Sequence, residues 1–203
     1  MNYVAITTDE ILQGMGLRVA LWTSGCEIRC KGCHNYHYWD KNFGKEFDVN
    51  AFNQICKELD KEYISGLSVL GGNPTDSYNI DCVTDICKKI KQLYPQKNIW
   101  LFSGHTYEYL KNLEIMQYID VLVDGGFIEE LADINYPFAG STNQRVIDIP
   151  KTIKTTNKIV LLNENEGFDY DKNLYEFLYS KTKDDRTYQN KKESSRHCTR
   201  TRI

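Results

Sequence analysis

Apolar positions along this chain follow two periods in turn. Leu17-Arg-Val-Ala-Leu-Trp22 reads as a first strand, and a polar, cysteine-bearing loop follows it. Val49, Phe52, Ile55, Cys56, Leu59 and Tyr63 then recur at helical spacing, with Asp48 placed as an N-cap. Leu67-Ser-Val-Leu70 is a short strand ended by Gly71-Gly72-Asn73-Pro74. Ile80, Val83, Ile86, Cys87, Ile90 and Leu93 form the next helical stripe. Asn98-Ile-Trp-Leu-Phe102 is a strand ended by Ser103-Gly104-His105-Thr106, and a short helix is expected over residues 107–112. Asp120-Val-Leu-Val123 is another strand, ended by Asp124-Gly125-Gly126. Beyond it the pattern weakens, with strands expected near residues 145–148 and 158–162.

Strand and helix in alternation predict an α/β fold with a parallel sheet and right-handed crossovers. The unusual residues fall in register with this pattern. The cysteine loop, the Gly-Gly-Asn-Pro turn, Ser103-Gly104-His105 and Asp124-Gly125 each follow the carboxyl end of a strand. In α/β sheets and barrels, active sites collect at that edge.

The chain has 203 residues, 41% apolar and 12% aromatic, enough for one domain with a substantial core. Its net charge of −3 hides an asymmetry. Residues 181–203 hold eight Lys/Arg and three Asp/Glu, whereas residues 1–180 carry a net −8. An acidic body argues against general nucleic-acid binding there. The tail has one aliphatic residue, Ile203, and one aromatic, Tyr188, so it is expected to be disordered, with a boundary near Ser180. No apolar run reaches the roughly 20 residues of a membrane helix, and no apolar signal segment precedes the cysteines. A cytoplasmic protein with reduced thiols is expected. There, close-spaced cysteines point to metal or redox chemistry more than to disulfides.

Three of the seven cysteines stand together in Cys26-Glu-Ile-Arg-Cys30-Lys-Gly-Cys33. Thiolate is a soft ligand, suited to iron–sulfur clusters, zinc or Cu(I). This spacing lets one loop supply three corners of a cubane cluster and leaves the fourth iron without a local thiolate. Zinc is the alternative, with His34 or a distant cysteine as fourth ligand, although no second C-x2-C or C-x2-H pair is present. Plain buried or reactive thiols are the third reading. Cys56 and Cys87 lie on apolar helical faces as ordinary core residues. Cys82 has no assigned role, and Cys198 falls in the basic tail.

C-x3-C-x2-C after a strand, followed by a strand ending Gly-Gly-x-Pro, resembles the radical S-adenosylmethionine superfamily. Gly14-Met-Gly16-Leu-Arg18, Gly25-Cys26 and Cys33-His34-Asn35 narrow this to the glycyl-radical-enzyme activases. Lys31-Gly32-Cys33, Asn98-Ile-Trp-Leu-Phe-Ser-Gly-His-Thr106, Val123-Asp-Gly125 and Gly140-Ser-Thr-Asn-Gln-Arg145 are similar to the anaerobic ribonucleoside-triphosphate reductase activating proteins.

The resemblance implies a partial (β/α) barrel of mostly parallel strands and a [4Fe-4S] cluster on Cys26, Cys30 and Cys33. It further implies that S-adenosylmethionine chelates the open iron and is cleaved reductively to a 5′-deoxyadenosyl radical. The implied protein substrate is the anaerobic reductase, on which a glycyl radical is made, and the implied electron donor is of flavodoxin type. Gly71, Gly72, Asn73, Ser103, His105 and Asp124 are the implied cofactor contacts. His34 and Asn35 would orient the cluster loop, and Asn143, Gln144 and Arg145 would bond the cofactor or the partner. Two positions depart from the family pattern. Asn73 stands where an acidic residue is usual, and Ala139 where arginine is frequent. An activase for another glycyl radical enzyme and a non-enzymatic zinc-binding interaction module are the alternatives.

Overall fold

The computed structural model describes residues 1–156 and 158–162. The basic tail over residues 181–203, Cys198 and the boundary at Ser180 lie outside the described residues.

Seven strands form one sheet: β1 (Asn2–Glu10), β2 (Leu17–Thr23), β3 (Lys45–Glu46), β4 (Ile64–Gly71), β5 (Asn98–Phe102), β6 (Val121–Asp124) and β7 (Arg145–Asp148). Their order is β3-β1-β2-β4-β5-β6-β7. The central four, β2-β4-β5-β6, pair in parallel. The flanks are antiparallel: β1 against β2, β3 against β1, and β7 against β6. The architecture is therefore mixed α/β with a parallel centre.

Two expectations need correction. The strand at Leu17 is second in the chain, because Asn2–Glu10 precedes it. Most of β1 is half-buried, and it lacks the dense apolar run that marks the central strands. The segment near residues 158–162 is an isolated antiparallel bridge, Ile147 to Leu161, with Asp148 N donating to Val160 O at 2.9 Å.

The remaining elements lie where the periodicity puts them. Helix α1 spans Val49–Leu59, and the Asp48 carboxylate accepts from Ala51 N at 2.9 Å as its N-cap. Tyr63 falls beyond its end. Helix α2 spans Ile80–Leu93, α3 Tyr107–Leu110 and α4 Ile149–Lys154.

Successive strand residues point to opposite faces, and here both faces are covered. Val19, Leu21, Leu67, Val69, Ile99 and Leu101 share one core cluster with Ile55 and Leu59 of α1 and Val83, Ile86, Cys87 and Ile90 of α2. The intervening residues Trp100, Val121, Val123 and Val146 form a second cluster, against which Phe102 and Phe138 pack. Arg18, wholly buried, crosses that second face. It donates to Ser68 Oγ (2.6 Å), Asn98 Oδ1 (2.7 Å) and Leu67 O (2.8 Å), and its guanidinium lies 5.4 Å from the Trp100 ring centre. Burial pushes its pKa down, with nearby Asp120 opposing the shift. It also donates to Met15 O at 3.0 Å, and these four partners, from two strands and a loop, make it a tie between β2, β4 and β5.

Candidate metal centre and cofactor cleft

The four loops singled out in the sequence meet at the carboxyl edge of the parallel strands. The loop after β2 carries the thiols, and the turn after β4 docks directly on it. Gly72 N donates to Thr23 O at 2.8 Å, and Asn73 N donates to Gly25 O at 2.6 Å. Glycine is required at this contact. Gly71 has φ +114°, and a Cβ on Gly72 would lie 2.2 Å from the Gly25 carbonyl oxygen. From the far side, Gly25 N donates to Tyr38 O (2.6 Å) and Cys26 N to Trp39 O (3.2 Å). The first cysteine is thus held by backbone on both flanks.

Cys26, Cys30 and Cys33 line a single cavity of about 190 Å3 together with Gly71, Gly72, Ser103, Phe102 and Phe127. It adjoins a wider cavity of about 560 Å3 lined by Thr106, Glu108, Asp124, Asn143 and Arg145. Ile28, Cys30, Gly104 and Phe127 border both. Burial pushes the Cys26 and Cys30 thiols up, while the Ile28 and Arg29 backbone amides pull Cys26 the other way.

Among the described residues, no three His, Cys, Asp or Glu side chains converge on one ion position. The thiols surround a space rather than a point. His34, the local fourth ligand a zinc site would use, is exposed and does not line the cavity. Cys87 is fully buried in the core, with its thiol pushed up to about 12 by burial, and Cys56 and Cys82 pack against that core.

The predicted cofactor contacts divide into two groups. Gly71, Gly72 and Ser103 line the thiol cavity, and Asp124 lines the wider one. Asn35 also lines the thiol cavity, its Nδ2 lying 3.5 Å from Gly71 O. Asn73 and His105 border neither cavity. The Asn73 side chain is buried and joins loops: its Oδ1 accepts from Thr75 Oγ1 (3.0 Å) and Gly104 N (3.3 Å). His105 stacks on Tyr109 at 4.5 Å and meets Asp76 at 3.1 Å.

Asp124 caps α3 by accepting from Tyr107 N at 2.6 Å, and it pairs side-on with Arg145 (3.0 and 2.5 Å). Arg145 also makes a two-bond contact with Glu108, at 3.1 and 2.8 Å. Those bonds hold the Glu108 carboxyl down at about 2. Gln144 Nε2 donates to Gly125 O at 2.9 Å, and Asn143 Nδ2 to Gly126 O at 2.8 Å. Asn143 Oδ1 is buried without a hydrogen-bond partner. An acceptor of this kind is completed by an ordered water or by a donor from a ligand.

Sequence reading passed over Asp76, Tyr78 and Phe127. Asp76 carried a usable signal, an acidic residue in a loop at the carboxyl edge of a strand. Phe127 had none, since its place over the thiols depends on the path of the chain after β6.

Three soft donors, glycine-lined backbone and an orphaned acceptor fit a thiolate-bound iron–sulfur cluster with a polar organic ligand beside it. The comparisons with known proteins agree. Residues 12–147 match the family described as a 4Fe-4S single cluster domain. The chain is 35% identical over 146 residues to the anaerobic ribonucleoside-triphosphate reductase-activating protein of Enterobacteria phage T4, which covers 72% of this chain and 93% of that relative. It is 36% identical over 148 residues to the protein of the same name from Vibrio cholerae, covering 71% and 96%. The Escherichia coli K12 protein of that name is 33% identical over 150 residues, covering 72% and 97%. This chain belongs to the anaerobic ribonucleoside-triphosphate reductase-activating protein family.

Proposed function

We propose that this chain activates an anaerobic ribonucleoside-triphosphate reductase by placing a radical on one of its backbone glycines. The observation that carries the reading is the convergence of three cysteines and four strand-end loops on one cavity that opens into a wider one. When bound, a [4Fe-4S] cluster and S-adenosylmethionine supply one-electron reductive cleavage and the hydrogen-abstracting power that follows from it.

The chain's own residues hold, orient and shield. Cys26, Cys30 and Cys33 are the proposed cluster ligands. Gly71, Gly72 and Ser103 border the same cavity, where the methionine part of the cofactor would lie. Asn143 Oδ1 offers an acceptor to an amino or hydroxyl group of the cofactor. Ile28 and Phe127 line both cavities and put apolar surface where the two meet, which would keep water from the reacting atoms. The wider cavity, edged by Glu108 and Arg145, admits the glycine-bearing loop of the reductase. Asn73 and His105 act from behind the wall, through the loops they join.

In this reading the seven-stranded sheet is the partial barrel of the radical S-adenosylmethionine type, and the reductase covers its open side. A reduced flavodoxin-type protein delivers the electron, and the reaction takes place in the cytoplasm. Among the described residues, no helix is long and apolar enough to cross a membrane.

The test is anaerobic incubation of the chain with the reductase, S-adenosylmethionine and a reductant. A glycyl radical on the reductase, read by electron paramagnetic resonance and lost when the cofactor is omitted, is the expected result. Cofactor cleavage without a radical on the reductase, but with one on another glycyl radical enzyme, would move the substrate assignment to that enzyme. A colourless chain carrying one zinc would support the interaction-module reading.

A further inference from the structure

Asp76 engages four groups at this edge of the sheet. Its side chain is 1% exposed. Oδ2 accepts from the backbone nitrogen of Glu27 at 2.7 Å and from the Tyr78 hydroxyl at 2.9 Å. Oδ1 accepts from Asn73 Nδ2 at 2.5 Å and lies 3.1 Å from His105 Nε2. One carboxylate therefore joins the thiol loop, the turn after β4 and the loop after β5. Glu27 directly follows Cys26, and the Tyr78 ring packs against Gly25, which directly precedes it. A Cβ on Gly25 would lie 2.3 Å from that ring. Asp76 thus fixes both neighbours of the first cysteine.

We propose that Asp76 is the positioning residue of the thiol loop and that it works as a complementary pair with Asn73, one side chain donating and the other accepting. The inference rests on the reading of Cys26 as a cluster ligand. The pair has a definite polarity. Asn73 cannot turn its amide over to serve a changed partner, because its Oδ1 is engaged by Thr75 and Gly104 N. An amide at position 76 has one acceptor where the carboxylate has two, so Asp76→Asn must set its NH2 group against a donor in a buried site, either Asn73 Nδ2 or the Glu27 backbone N–H. The doubly exchanged chain, Asn73→Asp with Asp76→Asn, restores donor against acceptor. It also leaves an amide oxygen at position 76 for Glu27 N.

The test is timed alkylation of the cluster-free full chain under reducing, anaerobic conditions, with each cysteine followed by mass spectrometry. Fully buried Cys87 reports on the fold. Asp76→Asn is expected to label Cys26 roughly ten-fold faster than the unaltered chain, the scale of one lost buried hydrogen bond, while Cys87 stays protected. The double exchange is expected to return Cys26 to near its original rate. After cluster reconstitution, the single variant should give a changed electron paramagnetic resonance line shape and the double variant the original one. An unchanged Cys26 rate and line shape in Asp76→Asn would overturn the inference. So would a double variant as perturbed as the single one. If Asp76→Asn exposes Cys87, the double variant decides alone: both cysteines protected supports the pairing, and either one exposed overturns it. An unaltered chain that takes up no iron would instead contradict the proposed function, and the alkylation comparison would stand apart from it.

Discussion

The backbone nitrogen of Asn73 donates to the carbonyl of Gly25 at 2.6 Å, one residue before the first cysteine. Two loops more than forty residues apart in sequence are joined there, backbone to backbone, and the contact holds the cysteine loop beside Gly71 and Gly72, which line the thiol cavity. Gly72 makes the approach possible, since any side chain would meet the Gly25 carbonyl. Gly72→Ala is therefore expected to destabilise the cluster-free chain by about 1–3 kcal/mol, the range for an overpacked site. Chemical denaturation measures this. Iron uptake should fall as well, because the thiol loop loses its dock.

Replacing Cys26, Cys30 or Cys33 singly by alanine is expected to abolish stable cluster assembly, while Cys56→Ser and Cys82→Ser keep it. The basis is placement: only the first three line the cavity, and the other two pack against the core. Iron and acid-labile sulfide per chain after reconstitution give the readout.

Arg145 bridges a buried and an exposed carboxylate, and the two should respond differently. Asp124 is 1% exposed at its side chain and Glu108 56%. Arg145→Met leaves Asp124 without its cation. It is expected to cost about 2 kcal/mol, less than a fully buried pair because Arg145 itself is partly exposed. Glu108→Gln should cost well under about 1 kcal/mol near neutral pH. Its effect is clearer in acid. Hydrogen bonds from Arg145 depress the Glu108 carboxyl from 4.5 to about 2. A carboxyl depressed on folding adds stability that is complete above its unfolded value and is lost as pH falls towards the folded one. Between about pH 4.5 and 2, Glu108→Gln should therefore show a shallower loss of stability than the unaltered chain.

Asn143 presents a buried acceptor without a partner at the wall of the wider cavity. Asn143→Ala is expected to weaken S-adenosylmethionine binding roughly ten-fold, the scale of one hydrogen bond to a charged or polar donor. Equilibrium binding to the reconstituted chain checks this, with iron content as the control. An unchanged affinity would rule out the cofactor as the partner of that acceptor.

Much of the framework was legible in the chain. The bounds of α2 and β5 follow from the apolar pattern, because α2 buries a helical stripe, β5 buries an unbroken apolar run, and each is closed by glycine, proline or polar residues. The cysteines and strand-end glycines were legible because close backbone approach and soft ligation leave few residue types available. Strand β1 escaped because most of its residues are half-buried, so no dense apolar run marks it. The antiparallel turn of β7 escaped because strand direction is set by the connection, and the connection after β6 has no periodicity. Asn73 and His105 were read as cofactor contacts, and neither borders the two cavities. Loop position predicts which residues gather, whereas the side that each one faces depends on contacts such as Asp76 that only the folded chain reveals.

Electron paramagnetic resonance on anaerobically purified, dithionite-reduced chain, with and without S-adenosylmethionine, tests the open-iron reading. On the reading that Cys26, Cys30 and Cys33 hold a cluster with one open iron, a [4Fe-4S]+ signal appears and changes when the cofactor is added. A cluster signal indifferent to the cofactor would contradict it, as would zinc in place of iron after reconstitution.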